Sequence, residues 1–311
     1  MTAEPATLQL TYSGLDGEQL QQRWIELGGG AECYVFAASD LQTADQWQRL
    51  ERDLRRAVAL GAARLTMHFP TEDADWVNDR AATNLLLRFC ELADQVGAAG
   101  VVLHSNQFVQ QRDWLDYDLA AARARVVDRL AEVDARLAGW PLWLGLENMP
   151  VIGAQGIDYD SIFVYPEDFR PVSDIGSDRL GVTWDVCHWA VTYSTTASIA
   201  QLRQQPAPHP AGALPELPIR HIHFASFSGR AMPFWPHECT EGVVPGDGDM
   251  DPEVLASVLA GAIDVAKPGV GVVFEVQEPD YVERQNCWRT LDWLRSRPEL
   301  ETRCRPIAQQ R

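Results

Sequence analysis

Positive charge is scarce in this chain of 311 residues: 26 Lys and Arg stand against 44 Asp and Glu, for a net charge of -18. A surface of that sign repels polyanions, which argues against a protein that grips duplex DNA through its phosphates and makes a small molecule the easier substrate. Cysteine is also sparse. The six residues Cys33, Cys90, Cys187, Cys239, Cys287 and Cys304 form no CxxC pair, a pattern of free thiols in a reducing cytoplasm rather than a disulfide framework. The opening MTAEPATLQLTYSG lacks a basic stretch followed by an apolar one, and no apolar run reaches the ~20 residues of a membrane span. No repeat or low-complexity tract points to a solenoid or a disordered region. A cytoplasmic, membrane-free protein is expected. With 46% hydrophobic residues, it can build one large core, read here as a single domain over 1–311.

Short apolar runs recur along the chain: LQLTY (8–12), CYVFA (33–37), ARLTMHF (63–69), GVVLH (100–104), LWLGLE (142–147), LGVTWD (180–185), IRHIHFA (219–225) and VGVVFEV (270–276). Between most of them lie segments whose apolar residues repeat at three and four, such as TADQWQRLERDLRRAVALGA and DPEVLASVLAGAIDVA. Strand then helix, eight times, is the order of an α/β (β/α)8 TIM barrel. Gly28–Gly30, Gly61, Gly97 and Gly100 fall where helices should stop. The Pro-rich QPAPHPAGALPELP (205–218) interrupts the rhythm without ending it, and reads as a long loop. RDLRR (52–56) reads as a solvated helix face. DGDMD (247–251) lacks the glycine and glutamate spacing of a calcium loop; Asp251 and Pro252 instead suit the cap and first position of a helix.

The polar residues at the strand ends carry the functional signal. Strand three ends at His68, four at His104, five at Glu147, six at Asp185 with His188 just after, seven at His223 and eight at Glu275. The C-terminal strand ends of such a barrel share one face, where active sites gather. A single histidine there is more often a hydrogen-bonded structural residue. So many ionisable groups at one end imply a metal site, since buried carboxylates need a partner or an ion. His237 lies in the following loop, and only His209 and His221 fall outside the set. Imidazoles and carboxylates without thiolates suit Zn²⁺ or Mn²⁺. Cys187, between Asp185 and His188, is expected by strand alternation to point away from the ligands. Trp184, Trp189 and Trp235 flank the set and are candidates to line a pocket.

From about residue 30 to 295 the chain resembles the xylose-isomerase-like TIM barrels, which include endonuclease IV, ketose 3-epimerases and inosose-handling enzymes. LENMP, TWDVCHWA, HIHFASF and FEVQ carry the resemblance. It implies a metal held by Glu147, Asp185, His223 and Glu275. The endonuclease IV branch holds three zinc ions, and its further ligands match His68, His104, His188 and His237. Trp235 stands where that branch has an aspartate, so one or two ions are expected rather than three.

In the epimerase branch Glu147 and Glu275 are the acid and base, and His188 contacts a substrate oxygen. Arg230 lies one residue away from that branch's substrate-binding arginine, and Gly153 replaces a glutamate. The expected function is isomerase- or epimerase-type proton transfer on a sugar- or polyol-like molecule. The alternatives are a zinc-dependent phosphoester hydrolase and a non-catalytic metal or ligand binder. For the hydrolase, the acidic loop FPTEDADW favours small molecules over DNA. The loops 148–165 and 226–250, which set specificity, are not readable, and oligomeric state is open, a homo-oligomer included.

Overall fold

In the computed structural model, which describes residues 4–151, 158–206, 214, 217–229 and 239–305, each of the eight apolar runs overlaps a strand, although the second strand begins three residues before CYVFA and ends at Tyr34. The strands are β1 (Thr7–Ser13), β2 (Gly30–Tyr34), β3 (Leu65–His68), β4 (Gly100–Leu103), β5 (Trp143–Glu147), β6 (Leu180–Asp185), β7 (Ile219–Phe224) and β8 (Gly271–Phe274). Every neighbouring pair is parallel, and β8 returns to β1 through Thr7↔Gly271 to Leu10↔Phe274, closing the barrel. The strands alternate with α1 (Gln22–Glu26), α2 (Ala44–Ala59), α3 (Arg80–Val96), α4 (Leu119–Arg136), α5 (Arg170–Asp174), α6 (Val186–Leu202), α7 (Pro252–Val265) and α8 (Gln285–Arg295). The fold is the expected (β/α)8 TIM barrel.

Local chemistry sets the helix ends. Thr43 and Gln46 form a reciprocal capping box at the start of α2, Thr43 Oγ1 accepting from Gln46 N and Gln46 Oε1 from Thr43 N. The same helix buries Trp47, Leu50, Leu54 and Ala57 on one face, while Arg52, Arg55 and Arg56 of the RDLRR segment stay exposed. Asp251 caps α7 by accepting from Glu253 N at 2.8 Å, with Pro252 at the first position as expected. Among the described residues, no helix is long and apolar enough to cross a membrane.

The barrel interior departs from the usual aliphatic filling. Alternation along the strands sends Leu8, Leu10, Val101 and Leu103 outward into the apolar core under the helices. Inside, Gln9, Glu32, Thr66 and His221 meet in one layer from four strands. Below it the Trp143 indole packs against His221, with ring centroids 5.3 Å apart. Gly100 makes room for that indole, since a Cβ there would overlap the ring. The polar residues thus form a column rising from mid-barrel to the C-terminal strand ends.

Two short antiparallel strand pairs in the loops have no counterpart in the expected rhythm. One pairs Val109–Gln110 with Asp158–Tyr159, and the other pairs Ser226–Gly229 with Cys239–Val243. The second lies along the segment after β8, where Gln277 N donates to Gly242 O at 2.7 Å.

Candidate metal centre

Glu147, the last residue of β5, is the hub of the C-terminal face. Its Oε2 lies 3.4 Å from His68 Nε2, 3.3 Å from His104 Nε2 and 3.3 Å from His223 Nδ1, while its Oε1 lies 3.3 Å from His188 Nδ1. His223 Nδ1 also faces Glu275 Oε2 at 3.2 Å and Asp185 Oδ2 at 3.9 Å. Glu147, Asp185, His223 and Glu275 each offer one ligand atom, all within 4.8 Å of one another. His68, Glu147 and His223 form a second such group.

Asp185 ends β6 and caps α6. One carboxylate oxygen accepts from His188 N at 2.6 Å, which leaves the other free to face the cluster. Asn148 fixes it from the side: Asn148 Oδ1 accepts from Asp185 N at 2.7 Å and Asn148 Nδ2 donates to Asp185 O at 2.9 Å.

The donor set fits a cation. His68 Nδ1 lies 2.9 Å from the Phe69 carbonyl, which can only accept, so Nδ1 carries the proton and a neutral ring aims its Nε2 lone pair at Glu147. Glu147 Oε2 and His223 Nδ1 are buried without a hydrogen-bond partner. Lone pairs facing carboxylate oxygens at these separations repel unless a proton or a metal ion lies between them. Glu147 and Asp185 are each 1% exposed, a costly place for charge without such compensation.

The pKa directions report the same tension. Burial works to raise Glu147, but His223 and His104 outweigh it and hold the carboxyl well below its usual range. Asp185 is pushed up to about 7, mostly by burial, with His188 opposing and Glu147 and Glu275 adding like charge. Burial acts to lower His188, yet Asp185, Glu241 and Glu147 push it up to about 9. Metal-free protein therefore binds protons where a cation would sit.

Of the residues singled out from sequence, the structure brings His68, His104, Glu147, Asp185, His188, His223 and Glu275 together. His237, Arg230, Trp235, His209 and Gly153 lie outside the described residues. Two expectations are corrected. Cys187 is not on a strand, because β6 ends at Asp185 and α6 begins at Val186. It lines the cleft beside Asp185, with its thiol donating to Ser226 O at 3.2 Å and burial raising its pKa.

His221, read as lying outside the constellation, sits in the barrel with its Nε2 2.8 Å from Glu32 Oε2. Its spacing of two from His223, on one strand face, was the available signal. Glu32 itself, and Glu241 with Oε2 3.8 Å from His188 Nε2, were missed. Above the cluster opens a cleft of about 280 Å³ whose lining includes Thr11, Tyr34, Asp185, His188, Glu241 and Glu275. It has the size of a small-molecule site.

Comparison with known proteins agrees with this architecture. No curated protein matches the chain by sequence. Among solved structures, a protein from Thermus thermophilus soaked with zinc chloride superposes with a TM-score of 0.57 at 20% identity, covering 93% of this chain and 96% of that one. The IolI protein with a bound zinc atom superposes at 0.60 with 13% identity, over 96% and 99%. The 3-keto-D-glucoside 4-epimerase of E. coli does so at 0.56 with 16% identity, over 94% and 99%. At such identities the likeness is one of fold. Residues 69–297 match the family described as xylose isomerase-like TIM barrel, and the chain belongs to that family.

Proposed function

We propose that this protein is a divalent-metal-dependent enzyme that moves a proton on a sugar- or polyol-like small molecule, in the manner of an isomerase or epimerase. The convergence of Glu147, Asp185, His223 and Glu275 within 4.8 Å carries the reading. Their oxygen and nitrogen donors suit Zn²⁺ or Mn²⁺. Such an ion supplies polarisation of substrate oxygens, which acidifies the neighbouring C–H.

The chain's own residues do the rest. Glu147 on β5 and Glu275 after β8 reach the site from well-separated strands, Glu275 at the cleft wall and Glu147 beneath it, so a substrate in the cleft lies over two carboxylates. One takes the proton and the other returns it. His188, at the cleft wall, contacts a substrate oxygen. Solved structures of this fold include a sugar epimerase and zinc-bound proteins, which supports the same chemistry.

One observation favours a second reading. His68 and His104 both approach Glu147 Oε2, and His68, Glu147 and His223 form their own potential ligand group. His68 and His104, with Glu147, would hold a second ion, and a pair of ions would supply the chemistry of phosphoester hydrolysis. Metal analysis of the purified protein separates the readings: about one ion per chain supports the isomerase, two or three the hydrolase. Deuterium exchange into ketoses and inososes, against phosphate release from small esters, completes the test. Under the first reading Glu147→Gln and Glu275→Gln abolish exchange while His104→Ala is milder. Equal severity of His104→Ala would overturn it.

A further inference from the structure

Glu32 sits inside the barrel on β2, 0% exposed, between the metal-facing His223 and the interior. Its Oε1 is 2.9 Å from His223 Nε2, an ion-pair contact that lies too far off the ring N–H axis to be a hydrogen bond. Its Oε2 accepts from Thr66 Oγ1 at 2.7 Å and faces His221 Nε2 at 2.8 Å. We propose that Glu32 is a positioning residue of the metal centre, holding His223 in the orientation and tautomer that turn Nδ1 toward Glu147, Asp185 and Glu275. The proposal rests on the reading that those four residues hold a divalent ion.

Three observations carry it. A carboxylate oxygen 2.9 Å from Nε2 repels a lone pair there more strongly than the more distant carboxylates repel one at Nδ1, which favours the tautomer with its proton on Nε2. With Nε2 protonated, the neutral His223 ring has its single lone pair at Nδ1, the atom that lies 3.2 to 3.9 Å from three carboxylates. Next, Glu32 cannot swing away. Thr66 Oγ1 accepts from Gln9 Nε2 at 2.9 Å, and Gln9 Nε2 also donates to Ala31 O at 2.8 Å, so a chain of bonds from three strands pins it.

Last, the position is a poor one for stability alone. A fully buried carboxylate loses its hydration, and apolar residues of similar volume are often as stabilising or more so. Glu32, His221 and His223 could also be read as a metal site of their own. Oε2 is already taken up by the 2.8 Å hydrogen bond with His221 Nε2 and the 2.7 Å one from Thr66 Oγ1, which leaves no carboxylate oxygen shared among the three for an ion. Carboxylates behind metal-bound histidines fix ring orientation and raise basicity, and their loss weakens metal binding about 10- to 100-fold.

The test is Co²⁺ binding to the full-length protein, stripped of metal, measured by competition with a chromophoric chelator and by the visible Co²⁺ spectrum. Glu32→Gln is expected to weaken binding about 10- to 100-fold and alter the spectrum. Thr66→Val leaves the His223 contact in place and is expected to change affinity less than about threefold, an order-of-magnitude bound set by that same carboxylate–histidine logic. A Glu32→Gln affinity within about twofold of wild type, against that expected range, overturns the proposal.

Should Glu32→Gln not fold, Glu32→Asp decides: its shorter side chain cannot serve both histidines, so weakened Co²⁺ binding supports the role and unchanged binding refutes it. A purely structural role would lower the metal-free melting temperature and leave the affinity of the folded protein alone. Wild-type protein that binds no ion at all would sink the metal reading itself, which is distinct from a variant that binds as wild type does.

Discussion

His188 gives the metal-free protein a pH dependence whose size follows from its surroundings. Burial opposes its protonation, but Asp185, Glu241 and Glu147 raise its folded pKa from 6.5 to about 9. A histidine raised on folding contributes stability that is fully present below the unfolded value and lost as pH rises through the folded one. The difference corresponds to about 3 kcal/mol, lost between roughly pH 6.5 and 9. Asp185, pushed up from 3.8 to about 7, has the same sign: the folded state keeps a proton the unfolded chain has released, and that contribution is spent by about pH 7. Above pH 7 the Asp185 contribution is gone, and the remaining loss belongs to His188 together with His68 and His223, whose pKa values the carboxylates around them also raise against burial.

At about 2 °C per kcal/mol for a domain of this size, His188 alone should lower the melting temperature by ~6 °C from about pH 7 to 9.5. The assay is thermal unfolding with a chelator present, repeated with saturating Mn²⁺. The ion neutralises Asp185 and Glu147, so the loss should shrink below half. His188→Asn should make the slope in the metal-free protein clearly shallower, leaving the share of His68 and His223. A metal-free melting temperature that stays flat or rises, or a His188→Asn variant that keeps the full drop, would refute the reasoning.

Two further outcomes follow from the frame around the site. Gly100→Ala places a methyl against the Trp143 ring and should cost about 1–3 kcal/mol by urea unfolding, with a change in tryptophan fluorescence. Asn148→Ala removes both bonds to the Asp185 backbone and leaves buried peptide groups unpaired. A loss of about 2–4 kcal/mol is expected, again by urea unfolding, together with weaker metal binding.

The eight strands and the residues that end them could be read directly from sequence, because both are local. Alternation and 3.6-residue periodicity are properties of short windows, and a polar residue closing an apolar run is visible wherever it stands. Asp251 and Pro252 announced α7 for the same reason. Parallel strands joined by helices then force all those ends to one face, so His68, His104, Glu147, Asp185, His223 and Glu275 could be grouped without coordinates.

Barrel closure decided the rest. Glu32 and His221 are 189 positions apart, and they meet at 2.8 Å only because the register of β1, β2, β7 and β8 sets both at the same height inside the ring. The run read for this strand, CYVFA, begins just after Glu32, and nothing local marks Glu32 in GAECY as a residue of the barrel interior. Cys187 was misjudged for a related reason: where β6 gives way to α6 depends on Asp185 capping the helix. Glu241 reaches His188 from a strand whose pairing is tertiary. The sequence thus determined which residues stand at the strand ends. Only the closed tertiary structure decided which atoms face one another, since side-chain encounters across a barrel depend on register and closure that no single segment encodes.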